Sequence, residues 1–369
     1  MRSVMNALFD KIRLRILKDG PLNIAQYMEM AMTDPDHGYY TTNDPIGASG
    51  DFITSPEISQ IFGELIGLWC ASVWQSMGEP SLFRWVELGP GRGTLMVDAI
   101  RATNKVPGFH SAAHLHMIDA SPVLQAHQQK VLEGAGVINR DWHNDLSQVP
   151  EGPIICIANE FFDAMPVRQF QKSTDRWHER MVDLNAGKDG LIFTLSDAIA
   201  PTNEHMIPEG LRTAPDGALV ETSPVGLRKM FTLADRIAKQ GGAALIIDYG
   251  HTVSAHGETL QALQDHQFVD VLDMPGEQDL TTHVDFQALG ELAGSTGARV
   301  HGPVEQGAFL NELGLGLRTK ALMKNAKSAD QATDILSRAN RLVDGDQMGA
   351  LFKVLGIAHP DLVSLPALS

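Results

Sequence analysis

The sequence predicts a doubly wound α/β fold, and three observations support this prediction. From residue 83 onward, short apolar segments alternate with helical segments of about 10–15 residues, the pattern of βαβ units around a parallel sheet. A glycine-rich turn, Gly89-Pro90-Gly91-Arg92-Gly93, joins the first of these strands to its helix. The chain has 369 residues, more than the roughly 250–300 at which a single core stops growing. We therefore expect substantial insertions or a second lobe.

The predicted core strands follow one another in the first half of the chain. They are FRWVELG, HLHMID, VINRDWH and PIICIANE. Three polar-alternating segments (VRQFQK, RWHERMVDLN, GLIFTLSD) then predict an antiparallel β insertion after the fourth strand. AALIIDYG, ARVHG and GALFKVLGIA predict the remaining core strands.

We expect an N-terminal helical region with a lid loop over residues 1–80 and the sheet-bearing core over 81–369. Within the core, the antiparallel insertion covers 167–220 and a helical insertion covers 310–345. Pro21 stands where a helix over 21–32 begins, since proline is tolerated in a first turn. Ser55 is the expected N-cap of a further helix that continues towards Met77.

Composition excludes several functional classes. A net charge of −16 argues against a general nucleic-acid binder, which needs a basic face, and is compatible with a basic protein partner. The two cysteines, Cys70 and Cys156, exclude a disulfide framework, and no Cys/His cluster has zinc spacing, so no metal is expected. The N-terminus lacks a signal-peptide pattern, and no run of about 18 apolar residues predicts a membrane span. We expect a cytoplasmic protein.

The glycine loop indicates a nucleoside site. Gly89, Gly91 and Gly93 have G-x-G-x-G spacing, whereas the dinucleotide fingerprint is G-x-G-x-x-G. Glu87 precedes the loop, and a carboxylate there suits a cationic amino group but repels a pyrophosphate. This combination favours S-adenosylmethionine, which carries an ammonium and a sulfonium. A purely structural turn is the alternative.

Two further segments extend the predicted nucleoside site. Asp119 ends the second strand, where a carboxylate accepts hydrogen bonds from ribose hydroxyls, in NAD binders as in S-adenosylmethionine binders. Trp142 and Asp145 follow the third strand and are candidates for stacking on adenine and accepting its amino group. An equally weighted alternative makes Trp142 a core residue and Asp145 a helix cap.

The loop after the fourth strand carries the predicted chemistry. Asn159 ends that strand beside the donor, and Glu160 and Asp163 flank Phe161 and Phe162. Two carboxylates with two aromatic rings suit a cation, and a carboxylate holds a guanidinium through two parallel hydrogen bonds. Glu160 is the predicted clamp for an arginine substrate. Asp163 is a second carboxylate or a turn cap.

Other candidate residues border the acceptor side. Asp248 closes a later strand at the same edge, and His283 precedes a helix as an indirect contributor or a structural hydrogen-bonder. The predicted lid and substrate loop comprises Gly50, Asp51, Phe52, Thr54 and Ser55.

Taken together, these strings resemble the MidA-like family of class I S-adenosylmethionine methyltransferases. The matching segments are GYY at 38–40, GDFITSPEISQIFGE at 50–64, ELGPGRGTLM at 87–96, NEFFDAMPV at 159–167, IDYGH at 247–251, DLTTHVDF at 279–286 and MGALFKVL at 348–355. The resemblance implies a Rossmann-like sheet, a methyl-donor site at the glycine loop with Asp119 on the ribose, and Glu160 in the active site.

That family includes a mitochondrial factor for assembly of respiratory complex I that methylates an arginine of a core subunit. The resemblance thus implies a protein-arginine substrate, with a bacterial cytoplasmic location, or the mitochondrial matrix in a eukaryote. Two rival hypotheses remain open at this point. One is an assembly chaperone that uses the fold without catalysis, and the other is an NAD-dependent oxidoreductase, which the loop spacing and Glu87 disfavour.

Overall fold

The structure, a computed structural model, describes residues 6–42, 54–136 and 139–368. The helices are α1 (Ala7–Asp19), α2 (Ile24–Thr33), α3 (Tyr39–Thr42), α4 (Ser55–Ile58), α5 (Gln60–Ser76), α6 (Thr94–Thr103), α7 (Phe109–Ala112), α8 (Pro122–Glu133), α9 (Pro224–Gln240), α10 (Phe286–Ser295), α11 (Gln306–Glu312), α12 (Leu315–Lys324), α13 (Ala329–Val343) and α14 (Met348–Leu351). Within the described ranges, none of the helices has both the length and the apolar character needed to cross a membrane.

The strands are β1 (Leu22–Asn23), β2 (Phe83–Leu88), β3 (Ala113–Ile118), β4 (Asn139–His143), β5 (Ile154–Asn159), β6 (Arg168–Ser173), β7 (Arg176–Leu184), β8 (Leu191–Ala198), β9 (Leu219–Thr222), β10 (Gly242–His251), β11 (Gln261–Gln264), β12 (Gln267–Val269), β13 (Asp279–Thr281), β14 (Val284–Asp285), β15 (Arg299–Glu305) and β16 (Phe352–Ala358).

The chain forms two compact units. Unit 1 comprises Met1–Phe52, Asp163–Arg228 and Val253–Asp285, and unit 2 comprises Ile53–Phe162, Lys229–Thr252 and Phe286–Ser369. These boundaries differ from the predicted division after residue 80. The reason is that α5 packs closely along α6 and therefore belongs to the unit that contains the parallel sheet.

A mostly parallel sheet forms the centre of unit 2 and confirms the predicted α/β class. Its strands follow the order β15-β16-β10-β5-β2-β3-β4. The five adjacent strands β10, β5, β2, β3 and β4 run parallel to one another. Strand β16 is antiparallel to both of its neighbours, β10 and β15. The strands β5 and β10 are almost entirely buried, as expected for a sheet with helices on both faces.

Aromatic side chains fill the space between the sheet of unit 2 and its helices. Trp69 of α5, Trp85 of β2 and Phe109 of α7 are fully buried in one apolar cluster. The rings of Trp85 and Phe109 meet edge to face at 5.0 Å between centroids, an arrangement that adds to the free energy gained from burial alone.

Helices α11 to α13 occupy the predicted helical insertion. Arg318 of α12 binds Glu64 of α5 through two hydrogen bonds, of 2.6 and 2.9 Å. Burial by itself opposes ionisation of Glu64, yet the hydrogen bonds from Arg318 and Arg101 leave the pKa of Glu64 below its usual value. The insertion is therefore fixed to α5 by a partly buried ion pair.

Unit 1 is built on antiparallel strands. One sheet has the order β1-β7-β6-β9, with β8 paired to β7, and a second has the order β12-β11-β13. The strands β6 to β8 are the predicted antiparallel insertion after the fourth core strand. Leu8, Ile12 and Ile16 of α1 recur every four residues and form the buried stripe that closes this core.

The predicted start of the second helix at Pro21 is wrong. The helix begins at Ile24, because Asn23 and Gln26 form a reciprocal capping box and the residues just before the helix pair with β7.

The predicted helix from Ser55 towards Met77 is also wrong in its start and its continuity. Thr54 is the N-cap of α4, which is only four residues long. The helical path then breaks at Ser59, which is extended and caps the separate helix α5.

The contact between α5 and α6 generates a prediction about stability. A Cβ atom on Gly67 of α5 would lie 2.6 Å from the Cα atom of Ala99 on α6. We expect Gly67→Ala to lower the free energy of unfolding by about 1–3 kcal/mol through overpacking. The measurement is equilibrium denaturation by urea.

Gly316→Ala is the matched control, since Gly316 is also helical and no atom lies within 4 Å of the place that its Cβ atom would take. This variant should raise the free energy of unfolding by about 0.4–1 kcal/mol. Equal effects of the two substitutions would contradict the close approach of α5 and α6.

Candidate functional site

The sheet of unit 2 has a topological switch point between β2 and β5. From β2 the chain continues to β3 and β4 on one side, whereas β5 pairs with the other side of β2. Ligands of open α/β sheets bind outside the carboxyl ends of the strands at such a point. Leu88 pairs in register with Ala158, so the glycine loop and the Asn159–Glu160 segment leave the sheet side by side.

The glycine loop requires glycine for its backbone conformation. Gly89, Gly91 and Gly93 have φ angles of +61°, +52° and +79°, a region that glycine adopts without steric cost. A Cβ atom on Gly89 would also lie 2.8 Å from the ring of Phe161. Gly93 is the N-cap of α6. The three glycines therefore bring bare backbone to the switch point.

Glu87 is a buried carboxyl group next to this loop. Its Oε2 atom has no hydrogen-bond partner among the described residues. Burial, together with the nearby Asp119 carboxyl, raises the pKa of Glu87 to about 8. A buried carboxylate without a partner is costly, so the group either stays protonated or meets a cation.

Asp119 follows β3 and is fixed by two hydrogen bonds. Its Oδ1 atom accepts from the backbone N–H of Ser121 at 2.9 Å, and its Oδ2 atom accepts from Gln128 Nε2 at 2.8 Å. Burial raises the pKa of Asp119 to about 6, although these hydrogen bonds stabilise the charged form. The carboxylate is held in one orientation and keeps lone pairs for a ligand.

Gln128 is a site residue that the sequence analysis missed. The buried amide nitrogen donates to the backbone oxygen of Gly91 and to Asp119, both at 2.8 Å, and the amide oxygen accepts from Trp142 Nε1 at 3.0 Å. Gln128 thus joins three predicted donor-site residues. Its signal in the sequence is a polar residue on the apolar stripe of α8, four residues after Leu124.

Trp142 and Asp145 have the contacts expected of a core residue and a helix cap, respectively. Trp142 packs partly buried against the apolar core of unit 2 and reaches the site through Gln128. Asp145 caps a short 3₁₀ helix by accepting from Ser147 N at 3.0 Å, and it lies 3.4 Å from Lys229 Nζ. Neither contact tests their predicted roles towards adenine.

Glu160, the predicted catalytic carboxylate, lies at the end of β5 in a left-handed backbone conformation with φ of +49°. Its backbone N–H donates to Ile247 O at 2.8 Å. Its Oε1 atom accepts from Ser55 N at 2.9 Å and from Asn159 Nδ2 at 3.0 Å. Such a conformation costs about 1–3 kcal/mol for a non-glycine residue and persists because neighbouring bonds enforce it.

Asp248 secures the loop that carries Glu160. This fully buried carboxylate accepts hydrogen bonds from the backbone N–H groups of Phe161 and Phe162 at 3.1 and 3.0 Å. The two phenylalanine rings meet edge to face at 5.3 Å, and Lys229 Nζ lies 5.9 Å from the centre of the Phe161 ring. Asp248, predicted near the substrate, therefore positions the loop from the interior.

The other predicted carboxylate and the predicted histidine lie in unit 1. Asp163 is buried there, and its backbone oxygen accepts from Thr282 N at 3.0 Å. The backbone N–H of His283 donates to Thr259 Oγ1 at 2.9 Å. Glu160 belongs to unit 2, so the two predicted carboxylates fall in different units.

The α4 segment contacts both halves of the switch point. Ser55 N donates to Glu160, as described above, and Thr94 Oγ1 at the start of α6 donates to Glu57 Oε1. The chain after the predicted lid is thus bonded to the loop after β5 and to the helix after the glycine loop. The predicted lid residues Gly50, Asp51 and Phe52 themselves lie outside the described residues.

The sequence of this chain matches a known family of enzymes. The family described as "Putative S-adenosyl-L-methionine-dependent methyltransferase" matches residues 65–304, more than half of the chain. The chain belongs to this family. Its methyl donor is S-adenosylmethionine, as predicted from the glycine loop and Glu87.

Relatives of this methyltransferase cover nearly its whole length. It is 35% identical to the "Protein arginine methyltransferase NDUFAF7, mitochondrial" of Danio rerio, over 97% of this chain and 88% of that protein. It is also 35% identical to the protein of the same name from Homo sapiens, over 93% of this chain and 81% of that protein.

A solved structure shares the fold of this methyltransferase. A COG1565 superfamily member from Burkholderia thailandensis, bound to S-adenosyl-homocysteine, superposes with a TM-score of 0.85 and 24% identity. The match covers 98% of this chain and 94% of that one. The fold is therefore that of the Burkholderia protein.

The residues at the switch point fit the methyl donor. Ser55 Oγ, Glu87 Oε2 and Asn159 Oδ1 are buried and lack hydrogen-bond partners among the described residues. Buried polar atoms are nearly always paired in native proteins, so these three atoms, carried by residues near the ends of β2 and β5 and by the segment bonded to Glu160, indicate a polar ligand. The ammonium and the hydroxyl groups of this nucleoside are donors of the kind that these oxygen atoms lack.

The raised pKa of Glu87 generates a prediction about stability without ligand. In the unfolded chain the group ionises near its ordinary value of 4.5, and in the folded protein it ionises near 8. The folded state therefore loses stability as pH rises between these values, by up to about 1.4 kcal/mol per pH unit. We expect Glu87→Gln to flatten the fall in melting temperature between pH 5 and pH 8, measured by calorimetry.

Glu133→Gln serves as the control, because Glu133 lies exposed at the end of α8. That variant should keep the pH dependence of the wild type. If Glu87→Gln also leaves the pH dependence of the melting temperature unchanged, burial does not raise the pKa of Glu87.

Proposed function

We propose that this methyltransferase transfers a methyl group to a guanidinium nitrogen of a protein arginine. The observation that carries the proposal is the 35% identity, over 97% of the chain, to a relative named as a protein arginine methyltransferase. Glu160 at the switch point supports it, because a fixed carboxylate is the group that best recognises a guanidinium.

In this proposal the donor site is built from the chain's own residues. Glu87, ionised by the approach of a cation, pairs with the ammonium of the donor, and Asp119 accepts hydrogen bonds from the ribose hydroxyls. The glycine loop lets the backbone approach closely, and Asn159 offers its unpaired Oδ1 atom. Trp142 and Asp145 border the adenine end.

S-adenosylmethionine, when bound, supplies a methyl group activated by a positively charged sulfur. The chain's task is to hold the acceptor in line, and positioning of this kind is worth up to roughly 7–11 kcal/mol in favourable cases. Glu160 holds the planar guanidinium and neutralises its charge. The Phe161 and Phe162 rings limit water beside it. As the S–CH3 bond breaks and the N–CH3 bond forms, the nitrogen releases one proton to solvent.

The strained backbone of Glu160 supports a role in chemistry. Glycine would adopt φ of +49° without cost, whereas glutamate adopts it only under the hydrogen bonds from Glu160 N to Ile247 and from the following N–H groups to Asp248. A carboxylate at this position is thus retained at a cost in stability.

In this proposal Glu87 serves donor binding and Glu160 serves methyl transfer, and two single substitutions test the two roles separately. We expect Glu87→Gln to weaken S-adenosylhomocysteine binding at least tenfold, because the ammonium loses its counter-charge. Glu160→Gln should bind it normally, since glutamine keeps the oxygen that accepts from Ser55 N, yet should lower the methylation rate about 10²–10³-fold. Calorimetry measures binding, and tritiated donor added to an extract of cells lacking the gene measures transfer.

Acid hydrolysis of the labelled protein should release methylarginine. Glu151→Gln is the control, because Glu151 is exposed and lies just before the first residue of β5, at the end of the strand opposite to Glu160. This variant should keep both S-adenosylhomocysteine binding and the methylation rate of the wild type. Label in lysine would overturn the arginine proposal. Full methylation by Glu160→Gln would remove Glu160 from the active site, and absence of any transfer by the wild type would favour the assembly chaperone.

We further propose that the substrate is a subunit of respiratory complex I, and that the enzyme acts in the bacterial cytoplasm, or in the mitochondrial matrix of a eukaryote. The acidic chain, with a net charge of −16, suits a basic arginine-bearing protein. Mass spectrometry of complex I subunits should find an arginine methylated in wild-type cells and unmodified in cells lacking the gene. Identical methylation in both would exclude this substrate.

A further inference from the structure

Four side chains of metal-binding type share one face of the sheet of unit 2, away from the glycine loop. His114 and His116 alternate on β3, and Asp141 and His143 alternate on the neighbouring strand β4. His116 pairs in register with Asp141. Since residues two apart on a strand point to the same face, these four lie together, on the face opposite to Leu115, which packs into the apolar core.

The four side chains contact one another directly. The His114 and His116 rings stack at 4.5 Å between centroids. His114 Nε2 lies 2.9 Å from Asp141 Oδ2, and His116 Nδ1 lies 3.0 Å from His143 Nε2. One nitrogen or oxygen atom each from His114, His116 and Asp141 falls within a span of 4.8 Å.

One nitrogen of this cluster lacks a partner. His116 is fully buried, and its Nε2 atom has no hydrogen bond to any described residue. Leaving a buried polar atom unpaired costs free energy. His143 already occupies the other ring nitrogen, the arrangement in which a histidine that binds a metal uses its second N–H to fix its orientation.

We propose that His114, His116 and Asp141 bind a zinc-type divalent ion and that His143 is a positioning residue for His116. Two imidazoles and a carboxylate form a donor set typical of Zn²⁺. The ligand atoms of a tetrahedral site lie about 3.4 Å apart when each bond is about 2.0–2.1 Å long, so small side-chain rotations bring these three groups into range.

The cluster is accessible to an ion from solvent. The side chains of His114 and Asp141 are 26% and 55% exposed, which leaves room for an entering ion and for water at the remaining coordination position. Arg84 is a nearby cation that opposes binding, and its guanidinium is directed to the backbone oxygen of Glu151 at 3.3 Å. The carboxylate of Asp141 offsets that charge.

The bound ion would join β3 to β4 at the edge of the sheet. His116 lies three residues before Asp119 in the chain, and Trp142 stands between Asp141 and His143 on β4. The ion therefore acts as a structural clamp under the strands that carry the donor site. The inference is independent of the acceptor substrate.

Zinc titration of the full chain, with any purification tag removed and metal stripped by a chelator, tests the proposal. In competition with a chromophoric chelator, we expect one Zn²⁺ per chain, and Co²⁺ should give the visible absorption bands of a four-coordinate site. His114→Ala and Asp141→Ala should abolish stoichiometric binding. His143→Ala should weaken it by about 10–100-fold, as loss of an orienting partner does.

His359→Ala is the matched control, because His359 also lies beside a carboxylate, 3.5 Å from Asp361, with 27% of its side chain exposed. That variant should bind zinc as the wild type does. The far-ultraviolet circular dichroism of each metal-free variant is compared with that of the metal-free wild type, so that misfolding is told apart from loss of one zinc ligand. The proposal is overturned if the wild type binds no stoichiometric zinc, or if His114→Ala and Asp141→Ala keep the wild-type affinity.

Discussion

A buried carboxyl group whose Oε2 atom has no hydrogen-bond partner among the described residues is the constraint on which the donor site depends. Glu87 lies near the end of the central strand of a parallel sheet, where helices exclude water on both faces. Its charge is unfavourable there until a cation arrives, and this preference agrees with a methyl donor that carries an ammonium group and no phosphate. The same constraint is the physical reason for the expected loss of stability of the donor-free protein as pH rises from 5 to 8. Pairing of the Glu87 carboxylate with the cation of the ligand therefore contributes to the free energy of binding.

The residues that surround Glu87 are held in place by buried polar side chains. Gln128 spans the glycine loop, Asp119 and Trp142 with one amide group. Asp248 holds the loop after β5 in the same way, through two backbone N–H groups. Both are buried polar residues whose hydrogen bonds are directional, and in a low-dielectric interior such bonds define a single geometry. Substrate-facing residues can therefore be few, because interior residues fix their positions.

How well each element can be predicted from the sequence depends on whether the interactions that determine it are local in the chain. The strands β2 and β5 are predictable nearly to the residue, because burial on both faces demands continuous apolar runs such as IICIAN. The glycine loop and Glu87 are predictable from local backbone and charge requirements. The break at Ser59 is not, since capping of α5 by the Ser59 side chain competes with an uninterrupted apolar pattern. The hairpin of β11 and β12 escapes prediction because its two-residue turn, Asp265 and His266, has positive φ values without a glycine, and β13 because it pairs with β11 from a distance in sequence.

The histidine cluster shows why a search by linear spacing fails on a sheet. Zinc motifs are recognised by ligands close together in one turn or hairpin, whereas His116 and Asp141 are far apart in the chain and become neighbours only through the parallel pairing of β3 and β4. Strand geometry offers a different rule: two potential ligands at i and i+2, opposite a second such pair on an adjacent strand. Here the rule selects His114 with His116 and Asp141 with His143. The alternation that sends Leu115 into the core is the same alternation that brings the imidazoles together on the other face.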